Sequence, residues 1–214
     1  MTLVKICGVT LADDAARISA GGADFIGLNF WPRSKRYLTP ERAPIVAGAA
    51  RGAGAAKLVG VFVDADADDI LAITVAAGVE LDAIQLHGDY SPAELTHLGD
   101  LTQRPVWLAI AVTGARDVDA LHVYPVDAIL LDAPTPQRGG AGASFDHAIA
   151  AAARRKHPAR RLVLAGGLAP DTVVAAIAAA AQPWCVDVAS GVEAAPGIKD
   201  AAKVAAFIAA AHGA

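Results

Sequence analysis

A chain of 214 residues suits one domain better than two and is long enough to bury most of its apolar surface in a single core. Hydrophobic residues make up 55% and charged residues 19%, which excludes a disordered chain; a net charge of −4 without a long basic run gives nucleic acid no footprint. There is no apolar run of roughly 18 residues and no basic stretch leading into an apolar one, so neither a membrane span nor a signal peptide is expected. The expected location is the cytoplasm. Cys7 and Cys185 are too few for a disulfide framework and read as reduced thiols.

In chain order, short apolar runs rich in β-formers fall at 3–7, 25–30, 57–63, 83–86, 106–111, 128–131, 162–165 and 185–188, and an alanine-rich helical stretch follows most of them. Uniformly apolar short strands fit a parallel sheet covered on both faces. Eight such units in this length predict an α/β fold, a single (β/α)₈ TIM barrel over residues 1–214, more than an open doubly wound sheet. Helix starts are expected at Thr10 as N-cap, at Thr39-Pro40-Glu41, at Ser91-Pro92-Ala93-Glu94 with a capping box, and at Pro170-Asp171. The longest loop lies between the sixth strand and its helix, residues 132–144, and holds the cluster Gly139-Gly140-Ala141-Gly142. Loops of that length tend to be functional. The basic group Arg154-Arg155-Lys156 with Arg160-Arg161 reads as a solvated helix end.

In a parallel barrel the catalytic groups project from the C-terminal strand ends. Those ends carry Cys7-Gly8, the basic stretch Arg33-Ser34-Lys35-Arg36, Gln85-Leu86-His87-Gly88, Asp132, Gly166-Gly167, and Asp187-Val188-Ala189-Ser190-Gly191. Gly166-Gly167 after the seventh strand and Ser190-Gly191 after the eighth predict a phosphate site, because glycine lets backbone N–H groups approach an anion. Cys7 reads either as a small buried hydrophobe or as a reactive thiol. Lys5, two residues earlier on the same face, would favour the thiolate. Asp132 closes an apolar run, where a carboxylate is costly unless paired or used. His87 reads equally as a satisfied core histidine, and no metal-ligand spacing is present.

These residues carry a family resemblance. Lys5-Ile6-Cys7-Gly8-Val9-Thr10 resembles the opening motif of the phosphoribosylanthranilate isomerases. The likeness continues through Phe30-Trp31-Pro32-Arg33-Ser34-Lys35-Arg36-Tyr37, Gln85-Leu86-His87-Gly88, Leu130-Leu131-Asp132, Gly139-Gly140-Ala141-Gly142 with Phe145-Asp146, Ala165-Gly166-Gly167-Leu168 and Asp187-Val188-Ala189-Ser190-Gly191-Val192-Glu193. The chain departs from the family pattern at Ala141, His147 and Ala189.

The resemblance implies an Amadori rearrangement in tryptophan biosynthesis. Protonation of the ring oxygen opens the furanose to an iminium, a base removes the C2 proton, and the enolamine tautomerises to a ketone. It implies Asp132 as general acid and Cys7 as general base. Arg36 would partner the anthranilate carboxylate, and Gln85, His87, Gly142, Gly166, Gly167, Asp187, Ser190 and Gly191 would bind substrate. No cofactor and no metal are implied, because the substrate's own amine is the electron sink. The partner is a phosphorylated small molecule, with the protein a monomer or homodimer. A free cysteine titrates near 8.5, so a modest downward shift of Cys7 is expected to supply thiolate. A free aspartate titrates near 3.9, so burial is expected to raise Asp132. The alternatives are another phosphosugar barrel isomerase, such as that of histidine biosynthesis, which uses two aspartates, or a barrel that only binds a phosphometabolite. Indole-3-glycerol phosphate synthase would be expected to show a lysine-rich set and an N-terminal extension.

Overall fold

The structure, a computed structural model, describes residues 1–132 and 146–214. Gly142, its neighbours Gly139-Gly140-Ala141 and Phe145 lie outside the described residues. Eight strands close into a barrel in sequence order: β1 (Leu3–Cys7), β2 (Phe25–Asn29), β3 (Lys57–Val63), β4 (Ala83–His87), β5 (Val106–Ala111), β6 (Ala128–Asp132), β7 (Arg161–Leu164) and β8 (Cys185–Val188). Every neighbouring pair is parallel, and β8 returns to β1 with Cys185 opposite Leu3 and Asp187 opposite Lys5. The expected architecture is therefore what forms, with strand ends moved by one residue at β2, β4, β6 and β7.

Helices α1 (Ala12–Ala20), α2 (Ala43–Ala53), α3 (Ala67–Ala77), α4 (Pro92–Thr102), α5 (Ala115–Ala120), α6 (His147–Lys156), α7 (Val173–Ala179) and α8 (Ala201–His212) wrap the barrel. Alanines such as Ala15, Ala47, Ala50, Ala153, Ala176 and Ala211 are buried among the residues between helices and strands. Their small side chains let the helices sit close to the sheet. Inside the barrel the alternate strand residues Val59, Ala83, Ala109, Ala128, Val163 and Cys185 form a second cluster. Its floor is aromatic: Trp107 meets Phe25 edge-on at 5.0 Å and Trp184 at 5.5 Å between ring centroids.

The floor also has a repeating clamp. Asp24, Asp82 and Asp127 stand just before β2, β4 and β6, and each carboxylate accepts the N–H of an early residue of the preceding strand. The acceptances are from Val4 at 2.8 Å, Leu58 at 2.7 Å and Val106 at 2.8 Å. The backbone N–H of each aspartate donates back to the carbonyl of that same residue. Trp184 takes the corresponding place before β8, where its N–H donates to the Leu162 carbonyl at 3.0 Å.

Three of the expected helix starts move. Thr10 caps nothing: α1 begins after Leu11, and the Thr10 hydroxyl donates to the Gly197 carbonyl at 2.6 Å. Thr39-Pro40-Glu41 forms a turn ahead of α2 rather than its first turn, and α7 opens after Thr172 instead of at Pro170. At α2 and α7 a turn comes between the marker and the helix; at α1 the cap position falls one residue later, on Leu11. Ser91 and Glu94 do form the reciprocal capping box of α4. The basic group around α6 is engaged locally. Arg154 donates to the Pro158 carbonyl, Lys156 pairs with Asp119, Arg160 donates to the Val126 and His122 carbonyls, and Arg161 lies over the Trp184 ring. No helix among the described residues is long and apolar enough to cross a membrane.

Candidate active site at the barrel mouth

The side-chain period of two sends Lys5 and Cys7 of β1 into the barrel, together with Gly27 and Asn29 of β2 and Gln85 and His87 of β4. Asp132 of β6 and Asp187 of β8 share that inward face, as the register shows: Cys7 pairs with Gly27, Asn29 with Val61, Val61 with Gln85, Gln85 with Trp107, Trp107 with Ala128 (four residues before Asp132), and Asp187 with Lys5. The C-terminal halves of these strands thus converge on one polar mouth, above the apolar interior.

Lys5 is fully buried, and its Nζ donates to Asp187 Oδ1 at 2.9 Å. Burial works against its ammonium, but Asp187 and then Cys7 outweigh that and hold Lys5 charged, with its pKa above the ordinary value. Gly27 makes room for this arrangement. A Cβ at Gly27 would stand 2.8 Å from Cys7 Sγ and 3.0 Å from Lys5 Nζ, so the strand opposite β1 carries no side chain there. A glycine inside an otherwise apolar strand pattern is the sequence signal for such a close approach.

The expected downward shift of Cys7 is corrected. Burial pushes the thiol above its ordinary value, Lys5 pulls it down, and Asp187 pushes it up again. The physical reason is burial first: it penalises the thiolate more than Lys5 favours it, and Asp187, which holds the same ammonium, adds to the upward shift. Cys185 lies at the other end of the barrel interior, paired with Leu3, four residues before Cys7; both cysteines are free thiols, as the strand placement predicts.

Asp132, at the end of β6, is buried. Gln85 is buried as well, and its Oε1 has no hydrogen-bond partner among the described residues. A buried acceptor without a donor has a cost, and it suits a ligand or a water. His87 follows on the same inward face, half-buried.

The loop after β2 turns back on itself. Asn29 Oδ1 accepts the Trp31 N–H at 2.9 Å, and Ser34 Oγ accepts the Arg36 N–H at 3.0 Å. Of its three cations, Arg33 and Lys35 are exposed and Arg36 is half-buried. The Arg36 stem lies over Gly8, where a Cβ would meet its Cδ at 2.4 Å and where φ is +71°. This brings the guanidinium beside the end of β1. Its fork is not empty: Nε and Nη2 donate to Glu193 Oε1 and Oε2, each at 2.7 Å.

Glu193 opens a small hairpin, β9 (Glu193–Ala195) and β10 (Ile198–Lys199), between β8 and α8. Its Oε1 also accepts from Lys199 Nζ at 2.9 Å and from the Gly197 N–H at 3.1 Å. Burial would raise the Glu193 carboxyl, but Arg36 and Lys199 hold it below its ordinary value. Burial in turn pushes Lys199 below the ordinary lysine range against the pull of Glu193. We take the ion pair as charged, since the carboxylate it faces is held ionised by two cations. Neither Glu193 nor Lys199 has a role in the sequence reading, because Glu193 meets Arg36 across 157 residues of chain and Lys199 enters the cluster only through Glu193.

The glycine turns come together in space. Gly166 and Gly167 adopt φ of +85° and +69°. A Cβ at Gly191 would lie 1.9 Å from the Leu168 carbonyl oxygen, so the loops after β7 and β8 touch only because Gly191 is bare. The segment beginning at Ser190 is a three-residue 3₁₀ turn, so single peptide N–H groups rather than a helix dipole are what it presents. Among the described residues no group of three His, Cys, Asp or Glu side chains can hold a metal ion.

Comparison with known proteins follows the same geometry. The model of the family described as N-(5'phosphoribosyl)anthranilate (PRA) isomerase matches residues 4–210. An N-(5'-phosphoribosyl)anthranilate isomerase of Geobacter sp. (strain M21) is 44% identical over 98% of this chain and 97% of its own. The crystal structure of the phosphoribosyl anthranilate isomerase from Thermotoga maritima superposes with a TM-score of 0.87 at 38% identity over 100% of both chains. A second such structure, in complex with reduced 1-(o-carboxyphenylamino)-1-deoxyribulose 5-phosphate, gives 0.84 at 36%, again over 100% of both.

Proposed function

Since the chain belongs to the N-(5'-phosphoribosyl)anthranilate isomerase family, we propose how its mouth residues divide the work of that reaction. The chain is an isomerase of tryptophan biosynthesis. It converts N-(5'-phosphoribosyl)anthranilate to 1-(2-carboxyphenylamino)-1-deoxyribulose 5-phosphate. In our reading Asp132 gives its proton to the ring oxygen as the C1–O bond breaks, leaving an iminium at C1. The iminium acidifies C2, and the Cys7 thiolate takes that proton. In the resulting enolamine C1 gains a proton and the C2 hydroxyl loses one, giving the ketone. Electrons move only within the substrate, so neither a redox cofactor nor a metal enters the scheme.

The observation that carries this reading is the seat of Cys7: its thiol lies against bare Gly27, beside the fixed ammonium of Lys5, on the inward face shared with buried Asp132. Lys5 stabilises the thiolate when it forms, although the free protein holds the thiol protonated at neutral pH. The unsatisfied, buried Oε1 of Gln85 suits a substrate hydroxyl, with His87 two residues on along the same inward face. Asp187 acts through Lys5. The phosphate belongs at the N–H groups of Gly166, Gly167, Ser190 and Gly191, and the aromatic carboxylate belongs at Arg36; Gly142, a further substrate-binding candidate, lies outside the described residues. Residues 1–214 form one catalytic domain, acting in the cytoplasm as a monomer or homodimer. Crystals grown with sulfate or inorganic phosphate test the site. The anion is expected against Gly166, Gly167, Ser190 and Gly191; an ordered anion on the rim of β3 and β4 instead would overturn the assignment.

A further inference from the structure

Arg36 is held on one edge. Nε and Nη2 form a fork with Glu193, and two of the five guanidinium N–H groups are thereby used. The remaining three, on Nη1 and the outer side of Nη2, have no protein partner among the described residues. The carboxylate that holds the fork is almost wholly buried, its side chain 5% exposed, and it is itself pinned by Lys199, 1% exposed, and by the Gly197 N–H. Lys199 is fixed in turn by the Ala189 carbonyl at 3.0 Å, and Gly197 by Thr10 of the β1 loop. Two cations thus share one carboxylate, and the cluster keeps one net positive charge. A pair of Arg36 and Glu193 alone would be neutral and would attract a further carboxylate weakly. Buried ionic groups of this kind are weak contributors to stability, because desolvation offsets the attraction; their use is in fixing geometry. Arg36 lines a pocket of about 650 Å³ together with Trp31, Ser34, Ser190 and Glu193.

We propose that Glu193 and Lys199 are positioning residues for substrate: Glu193 sets the plane of the Arg36 guanidinium, and Lys199 keeps the cluster cationic, so that the outer edge of Arg36 receives the aromatic carboxylate in bidentate form. The proposal rests on the reading that Arg36 takes that carboxylate. A carboxylate held equally in the ground and transition states affects binding and not the chemical step, so the signature lies in KM.

Steady-state kinetics on the full chain with substrate generated in situ, alongside thermal melts, test it. Arg36→Met is expected to raise KM about tenfold or more, as loss of charge-assisted hydrogen bonds does. Glu193→Gln, which sets an amide N–H against Nη2 and breaks the fork, is expected to raise KM about tenfold with kcat within about threefold. In the Arg36→Met background the same change adds less than about twofold, since the two residues act as one unit. Lys199→Met leaves the fork in place and is expected to raise KM by about threefold through charge alone. Glu193→Asp is expected to recover part of the loss. An unchanged KM in Arg36→Met overturns the carboxylate reading itself. A raised KM in Arg36→Met with additive effects of Glu193→Gln, or with Glu193→Gln changing only the melt, overturns the positioning role alone. Should Glu193→Gln fail to fold, Lys199→Met and Glu193→Asp decide: wild-type KM in both overturns the proposal.

Discussion

The two ends of the barrel use acidic residues in opposite ways. At the floor Asp24, Asp82 and Asp127 accept backbone N–H groups and tie each even strand from β2 to β6 to its predecessor. At the mouth Asp187 and Glu193 accept from Lys5, Arg36 and Lys199, and Asp132 is buried at the strand end. A carboxylate bonded to a strand N–H closes a donor that would otherwise be lost to the ladder, so its effect is on folding. A carboxylate bonded to a buried cation sets where a charge sits, so its effect is on what the site can bind and which protons it can move. The difference shows why residue type alone is a poor guide to role: of the two aspartates at the ends of β6, Asp127 ties the strand to its predecessor by accepting the Val106 N–H, whereas Asp132 is buried at the mouth, where the proposed reaction would use it as an acid.

That comparison can be broken first at the mouth. Cys7→Ser and Asp132→Asn are each expected to lower turnover by about 10²–10⁴-fold, the usual loss on removing a positioned general acid or base, while the melting temperature stays close to that of the parent. Turnover near the parent value in either variant removes that residue from the reaction.

At the floor the outcome should reverse. Asp82→Ala and Asp127→Ala leave the Leu58 and Val106 N–H groups without their carboxylate partner. Each is expected to cost about 1–3 kcal/mol in denaturant unfolding, with kcat and KM of the folded protein unchanged. A clear fall in kcat without a loss of stability would show that the two ends are not separate in function.

The smallest effect sharpens the electrostatics of the mouth. Burial holds the Cys7 thiol above its ordinary value, so in the free protein the thiolate is the minor form at neutral pH and grows as pH rises. kcat/KM is therefore expected to climb with pH, by up to about tenfold per unit from about pH 6 to about pH 8, and to level only in the alkaline range. A plateau already reached at neutral pH would mean that Lys5 lowers the thiol more than burial raises it.

The sequence by itself determined the barrel, because eight apolar β runs each followed by a helical stretch leave parallel closure as the economical way to bury both faces of every strand. Strand-end position also put Cys7, Gln85, His87, Asp132 and Asp187 at one mouth, since the period of two and the polarity of a parallel barrel act locally along each strand. Chain order could not show the partners that meet across the fold. Glu193, with Lys199 bound to it, reaches Arg36 only once β8 has closed on β1, Gly27 matters only because Cys7 pairs beside it, and Gly191 only because the loop after β7 runs against it. The direction of the Cys7 shift was decided at that level too. A lysine two residues away on one strand predicts a lower thiol pKa, but the balance depends on burial and on Asp187 arriving from the last strand, and both are properties of the closed barrel.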